Sequence, residues 1–150
     1  MLLPLHGSLT VIDNRFDEEF MPEAVVFEFE NKVHTVYFHQ TNAVLPIKLK
    51  NGAVKCVRWG RRERENSEMP AGGWARLCHI QDNPKNQWHF YTPKAVQLPI
   101  TKFMEKNLEG KPCWYEVTKG QCLQGVLARQ DNEYRLYIVT IEPEDLAIYH

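Results

Sequence analysis

The alternation of hydrophobic and polar positions along the chain predicts a protein built mainly from β-strands. Residues 24–30 and 33–39 are runs of aromatic and β-branched side chains, and Asn31-Lys32 lies between them. Two such runs separated by two turn-forming residues are typical of a β-hairpin. The first third of the chain is therefore expected to contain a hairpin with its turn at Asn31-Lys32.

A second hairpin is predicted immediately downstream. Residues 44–50 and 53–59 flank Asn51-Gly52, and this dipeptide favours a tight turn because both residues tolerate positive φ. Residues 61–73 are first charged and then rich in Pro and Gly, which predicts a mobile loop. Residues 73–80 fit either a short helix or an extended segment, and we favour the helix.

The second half of the chain repeats the strand pattern. Strands are predicted for residues 96–106, 113–117, 122–129 and 134–142, with turn-rich connections at 107–110, 118–121 and 130–133. Helices are expected only at 17–21, 74–80 and 144–149. The predicted fold class is α+β, mainly antiparallel β, with a barrel-like curled sheet and few short helices.

Composition indicates one soluble domain spanning residues 1–150. The chain is 43% hydrophobic and 25% charged, as in ordinary globular proteins. Its apolar stretches are far shorter than the roughly 20 residues of a membrane span, so no membrane partner is expected. The four cysteines have no regular spacing, which favours reduced thiols and a cytoplasmic location.

The net charge of −1 conceals a polarised distribution. Residues 13–30 contain seven acidic side chains and only Arg15 as a base, whereas residues 48–64 contain seven basic side chains and only Glu63 as an acid. If the fold separates these segments, one surface attracts phosphates. The alternative is an ordinary set of solvated strand edges and a loop, so charge alone does not establish nucleic-acid binding.

The reactive side chains do not form a recognisable metal or cofactor motif. Cys78 and His79 are adjacent, and Cys113 and Cys122 are nine positions apart, whereas structural zinc sites present paired ligands roughly two to four residues apart. No phosphate-binding glycine loop, nucleophile elbow or dinucleotide motif is present. We therefore expect neither a metal site nor a cofactor.

Glu105 and His150 are the candidate catalytic residues. Glu105 lies beside Phe103 and Met104 in a strand-like run, where apolar neighbours would raise its pKa and suit it to proton transfer. The alternative is an exposed strand glutamate paired with Lys102 or Lys106. His150 is either an imidazole available for acid–base chemistry or a solvated terminal residue.

Several short segments, taken in order, resemble a known family. Residues 42–46 are similar to an Asn-x-Ala-Pro segment, 57–60 to an Arg-Trp-Gly strand end, 74–76 to Asn-Ala-Arg, 103–106 to an aromatic-Glu-Trp strand, and 138–140 with 148–150 to a closing strand and the His of His-Arg-Met-Pro. On these segments, which span about residues 40–150, the chain resembles the SRAP family (SOS-response-associated peptidase-like proteins), which includes abasic-site sensors.

The resemblance implies a β-rich fold with a basic channel for single-stranded DNA. In the family, a cysteine at position 2 condenses with the aldehyde of an abasic site. Carried over to this chain, Glu105 would assist proton transfer at the sugar and His150 would act as the acid–base in Schiff-base chemistry. Nucleic-acid binding would fall to Arg58, Trp59, Arg61, Arg62, Trp74 and Arg76, with the arginines holding phosphates and a tryptophan stacking on a base.

The chain departs from the family pattern at two positions. Leu2 stands where the cysteine is expected, which would prevent a thiazolidine, and Trp74 replaces an asparagine. We therefore expect a DNA-damage-associated protein that binds single-stranded or abasic-site DNA, with degenerate or absent covalent crosslinking; enzymatic activity stays open. The alternative is a non-catalytic phage- or prophage-type accessory protein that uses the same sheet for protein–protein contacts.

Overall fold

The computed structural model describes residues 21–81 and 87–141. Within them the chain forms ten strands, one short α-helix and one 3₁₀ helix. The elements are β1 (Ala24–Phe29), β2 (Lys32–Tyr37), β3 (Val44–Lys48), β4 (Val54–Arg58), β5 (Trp74–Arg76), α1 (Leu77–Gln81), the 3₁₀ helix Gln87–Tyr91, β6 (Lys94–Leu98), β7 (Lys102–Lys106), β8 (Pro112–Glu116), β9 (Leu123–Gln130) and β10 (Glu133–Thr140). The predicted mainly β fold with few short helices is confirmed. The helices predicted at 17–21 and 144–149 lie outside the described residues, apart from Met21.

The strands form two sheets. A four-stranded sheet has the order β2-β1-β7-β8 and a six-stranded sheet the order β4-β3-β6-β9-β10-β5. Every pairing of these strands is antiparallel except β10 with β5. The described strands do not close into a barrel. The six-stranded sheet nonetheless curls far enough that Trp59, just after β4, forms a bridge with Leu136 of β10.

Two hydrophobic cores lie on opposite faces of the six-stranded sheet. The inter-sheet core contains Val25, Phe27 and Phe103 from the four-stranded sheet and Leu45, Ile47, Trp59, Leu98, Leu123, Leu136 and Ile138 from the six-stranded side. The outer core contains Met69, Ala75, Leu77, Ile80, Trp88, Val126, Ala128, Tyr137 and Val139. Alternating residues of β10 enter one core or the other, so this strand is buried on both faces.

Turn chemistry explains how the two predicted hairpins form. Glu30 and Asn31 have φ of 52° and 64°, as a two-residue hairpin turn that follows the strand twist requires. The turn is therefore one residue earlier than the predicted Asn31-Lys32. In the second hairpin Gly52 has φ of 86°, whereas Asn51 is not among the residues with positive φ. The Leu49 N–H donates to the Ala53 carbonyl oxygen at 2.8 Å and closes a loop of residues 50–52. The predicted hairpin is therefore confirmed, with a turn one residue longer than Asn51-Gly52.

The prediction of one strand over residues 96–106 is wrong. This run is divided between β6 in the six-stranded sheet and β7 in the four-stranded sheet. Pro99 lies at the break, and proline has no N–H with which to continue a ladder. The backbone N–H of Thr101 then donates to the Val26 carbonyl oxygen at 2.8 Å. Similarly, the helix predicted over 74–80 begins only at Leu77, because residues 74–76 form β5.

Candidate nucleic-acid interface

Three of the chain's arginines converge on one carboxylate. Glu65 Oε1 lies 2.6 Å from Arg58 Nη2 and 3.1 Å from Arg135 Nη1, and its Oε2 lies 2.9 Å from Arg62 Nε. We call these four residues the arginine network. Although burial acts to raise the pKa of Glu65, hydrogen bonds from the Arg62 backbone and side chain and from Arg135 lower it to about 2. Glu65 is therefore a carboxylate at physiological pH and compensates the surrounding guanidinium charges.

Arg62 is an internal residue of this network. Its side chain is 5% exposed, and burial lowers the pKa of its guanidinium. Nη1 donates to the Phe38 carbonyl oxygen at 2.7 Å, and Nη2 donates to the carbonyl oxygens of Trp59 and Gly60. The guanidinium carbon also lies 4.4 Å from the centre of the Phe38 ring. The prediction that Arg62 binds phosphates is wrong, because its donors are used to hold the backbone at Phe38 and at Trp59-Gly60.

Trp59 is also internal, so the prediction that it stacks on a base is wrong. Its side chain has no exposed surface, and Nε1 donates to the Gly73 carbonyl oxygen at 3.0 Å. The ring packs edge-on against Phe38 and Trp74. Trp74 is half-buried and donates from Nε1 to the Pro22 carbonyl oxygen at 2.8 Å. The two tryptophans and Phe38 thus form an aromatic cluster.

The segment 61–73 is packed against the six-stranded sheet, which contradicts the prediction of a mobile loop. Its ends are joined by backbone hydrogen bonds in both directions between Arg61 and Gly72, at 3.0 and 2.8 Å. Met69 is buried in the outer core, and the Tyr137 hydroxyl donates to the Pro70 carbonyl oxygen at 2.7 Å. The segment therefore makes internal contacts that its charged composition does not reveal.

Gly60 makes this compact loop possible. Its φ is 52°, and a Cβ atom at this position would lie 2.1 Å from the Gly72 carbonyl oxygen. No side chain fits at that distance, so the fold requires the glycine of the Arg-Trp-Gly sequence. The tryptophan fills the core and the glycine lets the two ends of the loop meet.

An open pocket of about 470 Å³ lies beside this loop. It is lined by Phe38, His39, Arg61, Arg62, Glu63, Arg64 and Gly72, and we call it the arginine pocket. Arg64 and His39 are exposed, and Arg64 Nη2 donates to the His39 carbonyl oxygen at 3.1 Å. Arg61 is half-buried, with Nε bonded to the Met69 carbonyl oxygen at 2.6 Å. Because Arg62 is paired with Glu65, the positive charge of the pocket wall comes from Arg61 and Arg64, against the single acidic residue Glu63.

Arg58 lies outside the arginine pocket but remains accessible. Its side chain is 37% exposed even though Nη2 is paired with Glu65. Among the arginines of the basic segment that were predicted to bind nucleic acid, Arg58 and Arg61 are therefore partly exposed, whereas Arg62 is buried. Arg64, which was not among the predicted site residues, is more accessible than any of these three.

Glu105 is located apart from the arginine network, in the four-stranded sheet. It is 3% exposed, so the alternative of an exposed strand glutamate is wrong. The lysines considered as its partners pair elsewhere, Lys102 with Glu116 and Lys106 with Glu23. Because Glu105 is two residues beyond Phe103, it shares the face that points toward the six-stranded sheet.

Arg76 faces the same inter-sheet space from the other side. It is half-buried and two residues beyond Trp74, whose ring packs against the inter-sheet core, so Arg76 lies on that face of β5. The structure therefore places Glu105 and Arg76 on facing sides of the two sheets. His150 lies outside the described residues, and its predicted convergence with Glu105 stays a prediction.

Two residues that organise this region were missed from the sequence. Glu65 is the shared acceptor of the network, and Arg135 reaches it across 70 positions of sequence. Arg135 also donates from Nη1 to the Gly60 carbonyl oxygen at 2.6 Å and pairs through Nη2 with Glu133. The available signal was that Arg135 directly precedes the apolar run 136–139 of a predicted strand, since a buried charge in a strand needs an internal partner.

Comparison of the chain with protein-family models, curated proteins and solved structures finds no match. The SRAP resemblance accordingly stays a prediction. Among residues 21–81 and 87–141, no helix has the length and apolar character needed to cross a membrane. The same residues contain no cluster of three His, Cys, Asp or Glu side chains able to hold a metal ion.

Proposed function

We propose that the protein binds single-stranded DNA, including DNA that carries abasic sites, at the arginine pocket and the adjoining Arg58. One observation carries the proposal: the pocket combines accessible guanidinium groups with aromatic side chains, and both are held by a well-packed part of the fold. Arg61 and Arg64 supply positive charge, and His39 and Phe38 lie in the same wall. Proteins that bind single strands without sequence preference use this combination of cationic and aromatic groups.

Each group has a distinct part in the proposed complex. Arg64 and Arg61 would hold phosphates, because a planar guanidinium matches phosphate geometry. The exposed ring of His39, 5.7 Å from the Tyr37 ring, would offer a face to an unpaired base. The arginine network and the aromatic cluster fix the backbone from which these side chains project, so Arg62 and Trp59 support the site without touching the DNA.

The proposed binding is non-covalent. The chain has Leu2 where the family's reactive cysteine is expected, and Glu105, expected to assist proton transfer, is buried. The order of short segments that resembles the SRAP family supports a DNA-related role. The accessible guanidinium groups of the arginine pocket support binding of phosphates.

Fluorescence anisotropy with a labelled single-stranded oligonucleotide, measured between about 50 and 200 mM salt, tests the proposal. Arg64→Gln removes one accessible charge and should lower the salt slope of the logarithm of affinity by about 0.7, the value for one phosphate contact with a single strand. Arg129→Gln is the matched control, because Arg129 is an exposed arginine that does not line the pocket, and should leave the slope unchanged.

Two outcomes would contradict the proposal. Negligible binding at low salt would remove DNA as the partner and favour the alternative role in protein–protein contacts. Equal slopes for Arg64→Gln and Arg129→Gln would show that binding occurs elsewhere on the surface. A borohydride-trapped adduct with abasic-site DNA would contradict the non-covalent part, since reduction traps a Schiff base.

A further inference from the structure

A second open site lies at the opposite end of the β3–β4 hairpin from the arginine pocket. Strands β3 and β6 pair in register only at Lys48 and Gln97. Beyond that pair, the turn after β3 moves away from the first residues of β6. Those residues pair with β9 on the opposite edge of β6. The divergence leaves an opening of about 490 Å³. A small-molecule site typically occupies roughly 300–1,000 Å³.

The charge of this opening is one-sided. Lys48, Lys50 and Lys94 all line it, and none of the described residues around it is acidic. All three lysines are exposed, so their ammonium groups are able to converge on a bound anion. The apolar side chains of Leu49 and Val96 form part of the wall and offer a surface to an uncharged part of the same ligand. We call this site the lysine notch.

Two carboxamides complete the lysine notch. Gln97 pairs with Lys48 on one side and with Gln124 on the other, so the three side chains form a row on one face of the sheet. Gln124 is 7% exposed, and its Oε1 has no hydrogen-bond partner within the described residues. A buried acceptor without a donor destabilises a fold, which makes this position unusual unless a ligand interacts with it.

We infer that the lysine notch binds a phosphate monoester of nucleotide size. The phosphate would lie among the three ammonium groups, and a hydroxyl or amino group of the ligand would donate to the Gln124 carboxamide. Rotation about the last torsion of Gln124 can instead turn its nitrogen toward the ligand, and the carboxamide then donates to a ligand oxygen. This chemistry is shared by a free nucleotide and by the phosphorylated end of a DNA strand. The inference does not depend on binding at the arginine pocket.

Two-dimensional ¹H–¹⁵N NMR titration of the whole chain tests this inference with defined probes. Adenosine 5′-monophosphate should shift the backbone amides of Lys48, Gly52, Gln97 and Gln124 saturably, whereas adenosine should not. Inorganic phosphate should bind more weakly, because it lacks the part that reaches Gln124. An oligonucleotide with a 5′-phosphate, compared with the same one without it, distinguishes the two sources. Tighter binding of the phosphorylated strand than of the mononucleotide would indicate a DNA end, and the reverse a free nucleotide.

Variants separate a ligand site from a structural role. Lys48→Gln and Lys94→Gln should each weaken binding of the mononucleotide about tenfold, since each removes a charged donor, and the exposed Lys119→Gln should have no effect. Gln124→Leu should weaken binding while leaving the melting temperature unchanged or higher, because it removes the buried acceptor. Arg64→Gln should leave this titration unchanged, even if it abolishes DNA binding at the arginine pocket.

Three results would overturn the inference. The first is the lack of saturable shifts at these amides with either the mononucleotide or the phosphorylated strand. The second is equal affinity for inorganic phosphate and the mononucleotide, which would indicate a nonspecific anion site. The third is mononucleotide binding by Lys48→Gln and Lys94→Gln as tight as by Lys119→Gln.

Discussion

Replacing Glu65 with glutamine should destabilise the protein by about 3 kcal/mol. The substitution keeps the shape of the side chain and removes its charge, which leaves Arg62 and Arg135 at 5% and 7% exposure with less compensation. Removing one partner of a buried ion pair costs about 3–5 kcal/mol. We expect the lower end of this range because Glu65 itself retains 18% exposure. The lowering of its pKa from 4.5 to about 2 results from the same contacts and is of the same order, about 3 kcal/mol.

Urea unfolding followed by tryptophan fluorescence measures this loss. Trp59, one of the four tryptophans, is packed beside the arginine network and contributes to this signal. Glu63→Gln is the matched control, because Glu63 is exposed on the same loop, and a surface change of this kind should stay within about 0.5 kcal/mol. If Glu65→Gln were as stable as Glu63→Gln, the network would not hold the loop and the reasoning would be refuted.

The same carboxylate makes a specific contribution to acid stability. Because the pKa of Glu65 is lower in the folded protein than its ordinary value of 4.5, its stabilisation is complete above about pH 5 and is lost as the pH falls toward 2. The stability difference between the wild type and Glu65→Gln should therefore shrink over that window. A difference that stays constant between pH 5 and 2 would contradict the assigned pKa.

Further predictions concern the loop that carries the arginine pocket. Gly60→Ala should destabilise the protein by more than about 1 kcal/mol, because its Cβ would lie 2.1 Å from the Gly72 carbonyl oxygen. Gly52→Ala is the control, because Gly52 also has a positive φ but open space around it, and this variant should cost only the backbone strain. Equal melting temperatures of the two variants would contradict the close contact. Tyr137→Phe should cost about 1 kcal/mol in urea unfolding, because it removes the hydrogen bond to Pro70; an unchanged midpoint would show that this bond does not hold the loop.

The hairpins were predictable because their signals are local. Gly52 favours a turn because glycine adopts a positive φ, here 86°, without steric cost, and the strand runs on either side need no further information. The break within residues 96–106 was not predictable in the same way. An apolar run has the same appearance whether it continues in one sheet or crosses to another, and Pro99 was the one local sign that the ladder ends there.

The candidate site was harder to predict because it depends on contacts between distant residues. A run of arginines indicates positive charge, but the sequence does not show which guanidinium groups point inward. Arg62 is internal because Glu65, Phe38 and the end of β4 surround it, and Arg135 joins from 70 positions away. The pattern near Trp59 suggested a stacking residue, whereas its ring is enclosed by the aromatic cluster. The accessible residues Arg64 and His39 lie in no motif, so the sequence carries no signal of their role.

Photocrosslinking of the protein to an oligothymidine strand, followed by mass spectrometry of the linked peptides, tests most directly whether the arginine pocket is the DNA-binding surface. The account predicts adducts on the peptides that contain His39 and residues 61–64, and their loss when unlabelled single strands compete. Adducts confined to the outer strand β8, where Trp114 is exposed, or no adducts under conditions of saturating strand, would contradict it.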